Sequence, residues 1–533
     1  MSDTSGNASV ARSTALMSVA TLGSRATGLV RTGAMAFALG NTLMTSSYQI
    51  ANSMPNVIYE LVAGGLLAAA FLPVYLSQKE RFGAEGGNRF ACNLLNLAVI
   101  VLGVLAILAT VFAPQVIFTQ TFTKDYSAEV TERAVQFFRI FGAQIVFYGI
   151  GGIITGLLNA NRVYFLPSIA PALNNVVVIA SLLAFVPLSS IDYELAIVVL
   201  AVGTTLGVAA QFAIQIPALI KLGFTWSPRI DVHDPALIEA LKIAAPTLVY
   251  VVGTMVAFSC RTAFSLQVGD NAPSTLAYAW TWYQLPYGVV AVSLSRALFT
   301  EMSEAVAKGD WSLLRAHVHT GMAGTLLLVI PLAGVMGALS SPLMELFHIG
   351  EFSAADVAYV ASILALWVVS LPFYSVLMLL YNVFASIRKF LVFALVSTVM
   401  VAIQCALYAL LCAPGAFGLA GVPLADLVYY STCCIVLTVV LRRFIGAFGL
   451  RAAAGSALRT ILATAVGAGA CTGLLFLLPG GTGVLEGLVH LVVCGSVGLV
   501  VTFGLCALLR IPEMQVVSNL VNRLFGRFAR RGR

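Results

Sequence analysis

Apolar runs of about 20 residues or more recur along nearly the whole chain, separated by short polar connections, and a helix of that length crosses the hydrocarbon core of a bilayer. Only 10% of the residues are charged and 60% are hydrophobic, against about 25% charged in an average soluble protein. Little besides a polytopic membrane protein satisfies that pattern, because lipid leaves backbone polar groups to be paired within each helix. Fourteen spans are expected, at 13–38, 44–77, 90–112, 131–159, 165–187, 193–220, 237–266, 273–303, 313–338, 354–385, 390–413, 419–441, 457–478 and 487–510. The connections leave no room for an extramembrane domain. The first apolar run continues too far to be the h-region of a cleavable signal peptide.

The basic residues orient the chain. Arg12, one set of alternate connections and the six arginines from Arg510 to Arg533 hold 22 of the 29 Lys and Arg, while the opposite side holds Lys124 and Arg133. By the positive-inside rule both termini lie in the cytoplasm. The net charge of +7 is therefore mostly topology, and gives no reason to expect a nucleic-acid partner. The nine cysteines fall mainly in apolar runs without CxxC spacing, so they read as small buried hydrophobes. His317 and His319 read as a solvated pair beside a loop. No spacing of ligand residues points to a metal or cofactor, and no acid–base pair or nucleophile constellation points to an enzyme.

Five basic residues remain within spans: Arg25, Arg31, Arg139, Arg261 and Arg296. An arginine at a helix centre costs roughly 2.5–3.5 kcal/mol on insertion scales, so it is expected to face protein or a water-filled cavity. Arg25 and Arg31 are the most informative. Six residues of helix separate them by about 120° and 9 Å, with Gly28 between them leaving room for a bend or a close neighbour. They read as an anion site, or else as one paired and one snorkelling arginine. Acidic residues in spans are fewer, with Glu60 and Asp426 the deepest.

The chain also reads as two related halves. Leu158-Asn159-Ala160-Asn161-Arg162 and Phe384-Ala385-Ser386-Ile387-Arg388 are both tight inner turns with Arg at the same place. Pro55 in the second span and Pro286 in the eighth both precede polar loops. The expected organisation is all-α: a six-helix bundle over 1–222, a pseudo-symmetric second bundle over 223–446, and two further transmembrane helices over 447–510. A basic amphipathic tail over 511–533 completes it and suits an anionic leaflet. A parallel repeat of this kind places a cavity between bundles, with Arg261 as the rough counterpart of the Arg25–Arg31 region.

Four segments give the chain a resemblance to the MurJ/MviN family, within the exporters built from two six-helix bundles. They are Ser24-Arg25 to Arg31; Met54-Pro55-Asn56 with Ala63-Gly64-Gly65 and Ala70-Phe71-Leu72-Pro73; Leu157 to Arg162 with Ala170-Pro171-Ala172-Leu173-Asn174-Asn175; and Gly418 to Ala425. The resemblance implies a flippase for lipid II, the undecaprenyl-pyrophosphate-linked peptidoglycan precursor, in the bacterial cytoplasmic membrane. With it come expected substrate contacts at Arg25, Arg31, Asn56 and Glu60, and membrane lipids and cell-wall synthesis or division proteins as partners. Arg261, added to the site by the repeat, stands where the family more often has an acid, and Glu60 is the only charge where the family usually has a charged run. Guanidinium forks suit a pyrophosphate because each can bind two oxygens. No GxxxxGK[ST] is present, so energy would come from a gradient or the membrane potential, with Asp426 the ion-coupling candidate or a structural hydrogen-bond acceptor. The chain departs from the family at Thr32, where an Asp is usual, and at Trp280-Thr281-Trp282, where a cavity Arg is usual. Those departures leave two other readings: a flippase for another undecaprenyl-linked glycan, and a scaffold that does not transport.

Overall fold

The computed structural model describes residues 3–64, 70–123, 128–478 and 483–515. The expected amphipathic tail from Val517 onward, Lys124 and Gly65 lie outside them. Helices dominate the described residues because every span is long, apolar and free of competing β patterning. Chain contacts divide the protein into two compact units, 1–274 and 275–533.

The first unit contains α1 (Asp3–Leu39), α2 (Leu43–Tyr59), α3 (Phe71–Val111), α4 (Ala113–Phe118), α5 (Ala128–Phe141), α6 (Gln144–Ala160), α7 (Phe165–Ser189), α8 (Tyr193–Ala213), α9 (Ile216–Lys221) and α10 (Pro235–Leu266). Helix α7 packs along both α1 and α8. Its contact with α8 is close because Gly203 and Gly207 present no side chain. A Cβ at Gly203 would lie 1.8 Å from Ser181 Oγ, and one at Gly207 would lie 2.5 Å from Asn174 Oδ1. Small residues give membrane helices this approach, where dispersion rather than water exclusion drives association. Helix α2 ends in a π-helical turn, Glu60–Gly64, which begins five residues after Pro55 removes a ladder donor.

The second unit begins within α11 (Ala272–Pro286). It continues through a π-helical turn, Tyr287–Ala291, to α12 (Val292–Ala307), α13 (Trp311–Ala338), α14 (Ser340–Glu345), α15 (Ala354–Trp367), α16 (Leu371–Ser386), α17 (Phe390–Leu411), α18 (Gly421–Ile445), α19 (Leu450–Leu477) and α20 (Val484–Leu508). Helices α19 and α20 pack on each other and on α13. Gly467 and Gly498 face each other there: a Cβ on Gly467 would meet Thr502 Oγ1 at 1.9 Å and the Gly498 carbonyl oxygen at 2.6 Å.

The repeat is visible in where elements begin and end. Helix α1 ends at Leu39 and α10 at Leu266, 227 positions later; the π turns start at Glu60 and Tyr287, again 227 apart. Helices α5 and α15 start 226 apart, and α4 and α14 start 227 apart. That spacing pairs Glu60 with Tyr287, so Pro55 and Pro286, 231 apart, are near rather than strict counterparts. The repeat restarts with α10, whereas the contact division falls after Ser274. Sequence repetition and packing differ here because α10 packs on α3 and on the Glu60–Gly64 turn.

Length and hydropathy single out ten helices able to cross a membrane among the described residues, or eleven if the bent pair α5 and α6 counts as one span. The expected spans 13–38, 44–77 and 273–303 are missing from that number. The first carries Arg25 and Arg31, and the other two are interrupted by π turns. The count of fourteen is thus not reproduced by these two criteria.

Candidate functional site

Helix α1 runs unbroken through Gly28, so Arg25 and Arg31 project from one continuous helix. Both are half-buried, and among the described residues neither has an ion-pair partner within 4 Å. Asn175 of α7 holds this stretch: its Nδ2 donates to the Ser24 carbonyl at 3.3 Å and to Thr27 Oγ1 at 3.0 Å. Gly28 faces the same amide, and a Cβ there would make an ordinary contact with that Nδ2 at 3.6 Å. Thr32 is buried and donates back to the Gly28 carbonyl at 3.2 Å, so position 32 offers Arg31 no carboxylate. The Asn174-Asn175 pair therefore has a physical role, with Asn175 anchoring α1 and Asn174 packing against α8.

Tyr48 is fixed by its hydroxyl, 3.1 Å from Thr204 Oγ1, and by edge contacts with Phe137 and Phe141. Tyr148 packs at 6.0 Å against Tyr59, which adjoins Glu60. Asn56 Nδ2 donates to Glu60 Oε1 at 3.1 Å. Tyr148, Tyr59, Glu60 and Asn56 thus lie together, half-buried, in the first unit. Asn56 and Glu60, both named from sequence, meet here beside two tyrosines that sequence reasoning passed over, and among the described residues Arg31 forms no ion pair with Glu60. Buried Tyr residues at membrane depth were the available signal, because a phenol there needs a partner.

Arg261 is also in the first unit, half-buried on α10, with its guanidinium carbon 5.1 Å from the Phe258 ring centroid. Such a contact favours a cation in a poorly solvated place. Arg139 and Arg296 are exposed on the surfaces of α5 and α12.

In the second unit Asp426 is buried, with 1% of its surface exposed. Its carboxylate accepts from Trp367 Nε1 at 2.8 Å, from Gln404 Nε2 at 2.8 Å, and from the Tyr408 hydroxyl. One carboxylate therefore ties α15, α17 and α18 together. Gln404 and Tyr408 are one turn apart on α17, a spacing that puts both on one helix face. Trp367 links this network to an aromatic cluster, its ring 5.1 Å from that of Trp280. Trp280 stacks on Tyr283 at 5.0 Å, and Tyr287 on Tyr374 at 4.2 Å. Tyr374 also packs on Tyr430 at 4.8 Å. The segment Trp280-Thr281-Trp282, where the resemblance leads one to expect an arginine, thus contributes Trp280 to an aromatic cluster.

An apolar groove of about 810 Å³ runs between α13, α16 and α19. Ile330, Gly334, Phe373, Ala457 and Ile461 are among its walls. Its surface is almost entirely hydrocarbon, so it accommodates chains rather than headgroups.

Comparison with known proteins follows the same lines. Residues 35–491 match the family described as Lipid II flippase MurJ. The chain is 26% identical over 372 residues to the probable lipid II flippase MurJ of Buchnera aphidicola subsp. Schizaphis graminum, covering 70% of this chain and 72% of that one. It is 27% identical over 356 residues to the lipid II flippase MurJ of Burkholderia cenocepacia, covering 66% and 68%. A lipid II flippase MurJ structure in an inward closed conformation matches with a TM-score of 0.73 at 20% identity, over 93% of this chain and 98% of that one. An inward-facing multidrug resistance MATE family transporter of the MOP superfamily matches at 0.60 and 15% identity, over 81% and 94%. At such identities the two structures speak for the fold, whereas the family match covers most of the sequence. Because the family match spans 35–491, most of the sequence, the chain belongs to the MurJ family.

Proposed function

We propose that this protein moves lipid II from the inner to the outer leaflet of the bacterial cytoplasmic membrane by alternating access. The observation that carries this reading is the pair Arg25 and Arg31, held at membrane depth by Asn175 and without an ion-pair partner among the described residues. Two unneutralised guanidinium groups in one unit call for an anion, and a pyrophosphate supplies oxygens for both forks. Arg261 adds a third cation to the same unit. Asn56 and Glu60 offer donors and acceptors to the headgroup beyond the pyrophosphate. The groove of about 810 Å³ in the second unit suits part of the polyprenyl tail. Both termini lie on the cytoplasmic side, where the basic loops accumulate.

Asp426 has the chemistry of an ion-coupling residue, but its three protein donors favour a structural role. A carboxylate already accepting from an indole, an amide and a phenol is stabilised without a cation. Trp and Tyr hydrogens also offer a cation nothing to bind.

The test is transfer of labelled lipid II across reconstituted vesicles. Arg25→Ala and Arg31→Ala should each reduce transfer by about tenfold or more, since a charge-assisted hydrogen bond contributes about 1.5–3 kcal/mol. Transfer at the wild-type rate by the double variant would sink the proposal. Competition by other undecaprenyl-pyrophosphate-linked glycans in the same vesicles separates lipid II from a related cargo.

A further inference from the structure

A polar cavity lies in the first unit, and neither Arg25 nor Arg31 lines it. It has a volume of about 470 Å³ and is enclosed by the start of α3 and by the connection leading into α10. Both walls belong to the basic connections that sequence places on the cytoplasmic side. The cavity is rigidly framed. Asn93 is fully buried and exchanges two hydrogen bonds with the backbone of Asp231: Nδ2 donates to its carbonyl at 2.8 Å, and Oδ1 accepts from its N–H at 2.7 Å. Asn96 donates to the Ser227 and Arg229 carbonyls, and Asn88 donates to Thr225. Three asparagines of α3 thus strap the connection down by its backbone.

The charges around the cavity fall into two groups. Arg229 pairs with Asp231 at 3.0 Å, and Asp234 caps α10 through the Ala236 N–H at 2.9 Å. Those groups are spoken for, although Arg229 Nε is buried without a hydrogen-bond partner. Arg81, Arg89, Glu85 and Glu239 also line the cavity, and among the described residues none of these four forms an ion pair within 4 Å. Arg81 and Glu85 have the spacing of a helical ion pair. They do not form one because Gly83 breaks the helix between them, with φ 71° and ψ −167°. Phe82 and Phe90 supply apolar wall.

Two cations and two anions left over around one cavity do not suit a phosphate, which the carboxylates repel, or a polyamine, which the arginines repel. They suit a ligand carrying both a carboxylate and an ammonium group a few ångströms apart. We infer that this cavity is a binding site for a zwitterionic peptide, its carboxylate toward Arg81 and Arg89 and its amine toward Glu85 and Glu239. The inference rests on the lipid II reading for its physiological occupant, the stem peptide of the headgroup before transfer. The site would hold the peptide while the pyrophosphate engages the arginines of α1.

The test uses the full chain in detergent and a soluble pentapeptide with a free lysine amine and a free C-terminal carboxylate, followed by saturation-transfer NMR. Two blocked peptides, one amidated at the C-terminus and one acetylated on the amine, are measured beside it. Each block should weaken binding by about two- to fivefold, the range of an exposed charge pair. In the Arg81→Gln/Arg89→Gln variant amidation should no longer matter, and in Glu85→Gln/Glu239→Gln acetylation should no longer matter. All four residues are exposed, so folding is expected to survive, and the paired peptides provide an internal control. The inference is overturned by absence of peptide signal at millimolar concentration, by binding unaffected in both variants, or by an equal response to inorganic phosphate. Lipid II transfer by the wild type, run in parallel, separates the two readings. Transfer without peptide binding removes only the peptide site, and peptide binding without transfer removes only the transport reading.

Discussion

Arg162 and Arg388 hold the same left-handed backbone conformation, with φ 61° and 55°, 226 positions apart in the chain. Each ends a helix in the same way. The Arg162 N–H donates to the Asn159 carbonyl and Val163 N–H to Leu158; the Arg388 N–H donates to Ala385 and Lys389 N–H to Phe384. This is the double hydrogen bond of a Schellman ending, which usually employs glycine. The charge is retained at a position where an L-residue pays about 1–2 kcal/mol in backbone sterics, consistent with its place among the orienting basic residues. Arg162→Gly and Arg388→Gly should therefore be neutral or stabilising by up to about 1 kcal/mol. Arg162→Val and Arg388→Val should be clearly destabilising, because a β-branched residue is least tolerated at positive φ. The thermal midpoint of the detergent-solubilised protein measures both.

The strap on α3 should fail when its central amide is removed. Asn93→Ala leaves the Asp231 N–H and carbonyl without their partner, at a cost of about 1–3 kcal/mol for each group that water does not reach. Hydrogen exchange over 225–234 should quicken, while exchange in α7 and α8 should stay as in the wild type. Unchanged protection at Asp231 would show that the strap does not depend on Asn93.

Asp426→Ala should destabilise the second unit more than Asp426→Asn. The alanine removes the acceptor shared by Trp367, Gln404 and Tyr408, although Gln404 Nε2 still donates to the Tyr408 hydroxyl at 2.8 Å, whereas asparagine keeps one carbonyl acceptor. Loss of a buried acceptor costs about 1–3 kcal/mol per orphaned group, so the alanine variant should lose thermal stability even where no transport is measured. An ion-coupling role would show instead as a folded Asp426→Asn variant whose transfer rate no longer responds to the imposed ion gradient.

Gly467→Ala should separate α19 from α20. The added methyl meets the Gly498 backbone carbonyl at 2.6 Å, and a backbone oxygen cannot swing aside as a side chain can. Overpacking of this kind costs about 1–3 kcal/mol. Gly469→Ala, where a Cβ would meet nothing within 4 Å, is the matched control and should be neutral or slightly stabilising through helix propensity. Thermal midpoints of the two variants decide the matter.

Apolar length and the distribution of Lys and Arg were enough to determine a helical, multi-pass membrane protein, because lipid leaves the backbone few alternatives. The twin turns at Arg162 and Arg388 were legible for the same reason: a tight ending leaves a local signature. Arg25 and Arg31 stood out because charge at membrane depth needs explaining wherever the chain folds. Partnership was not legible. Nothing local in the sequence says that Asn175 reaches Ser24 across α1, that Trp367 and Tyr408 converge on Asp426, or that Asn93 clasps Asp231. Nor does it say that α10, the start of the second repeat, packs with the first unit. Those are contacts between residues tens to hundreds of positions apart, set by which helix faces meet. Hydropathy period fixes that a helix has such a face, and only tertiary packing fixes what lies against it.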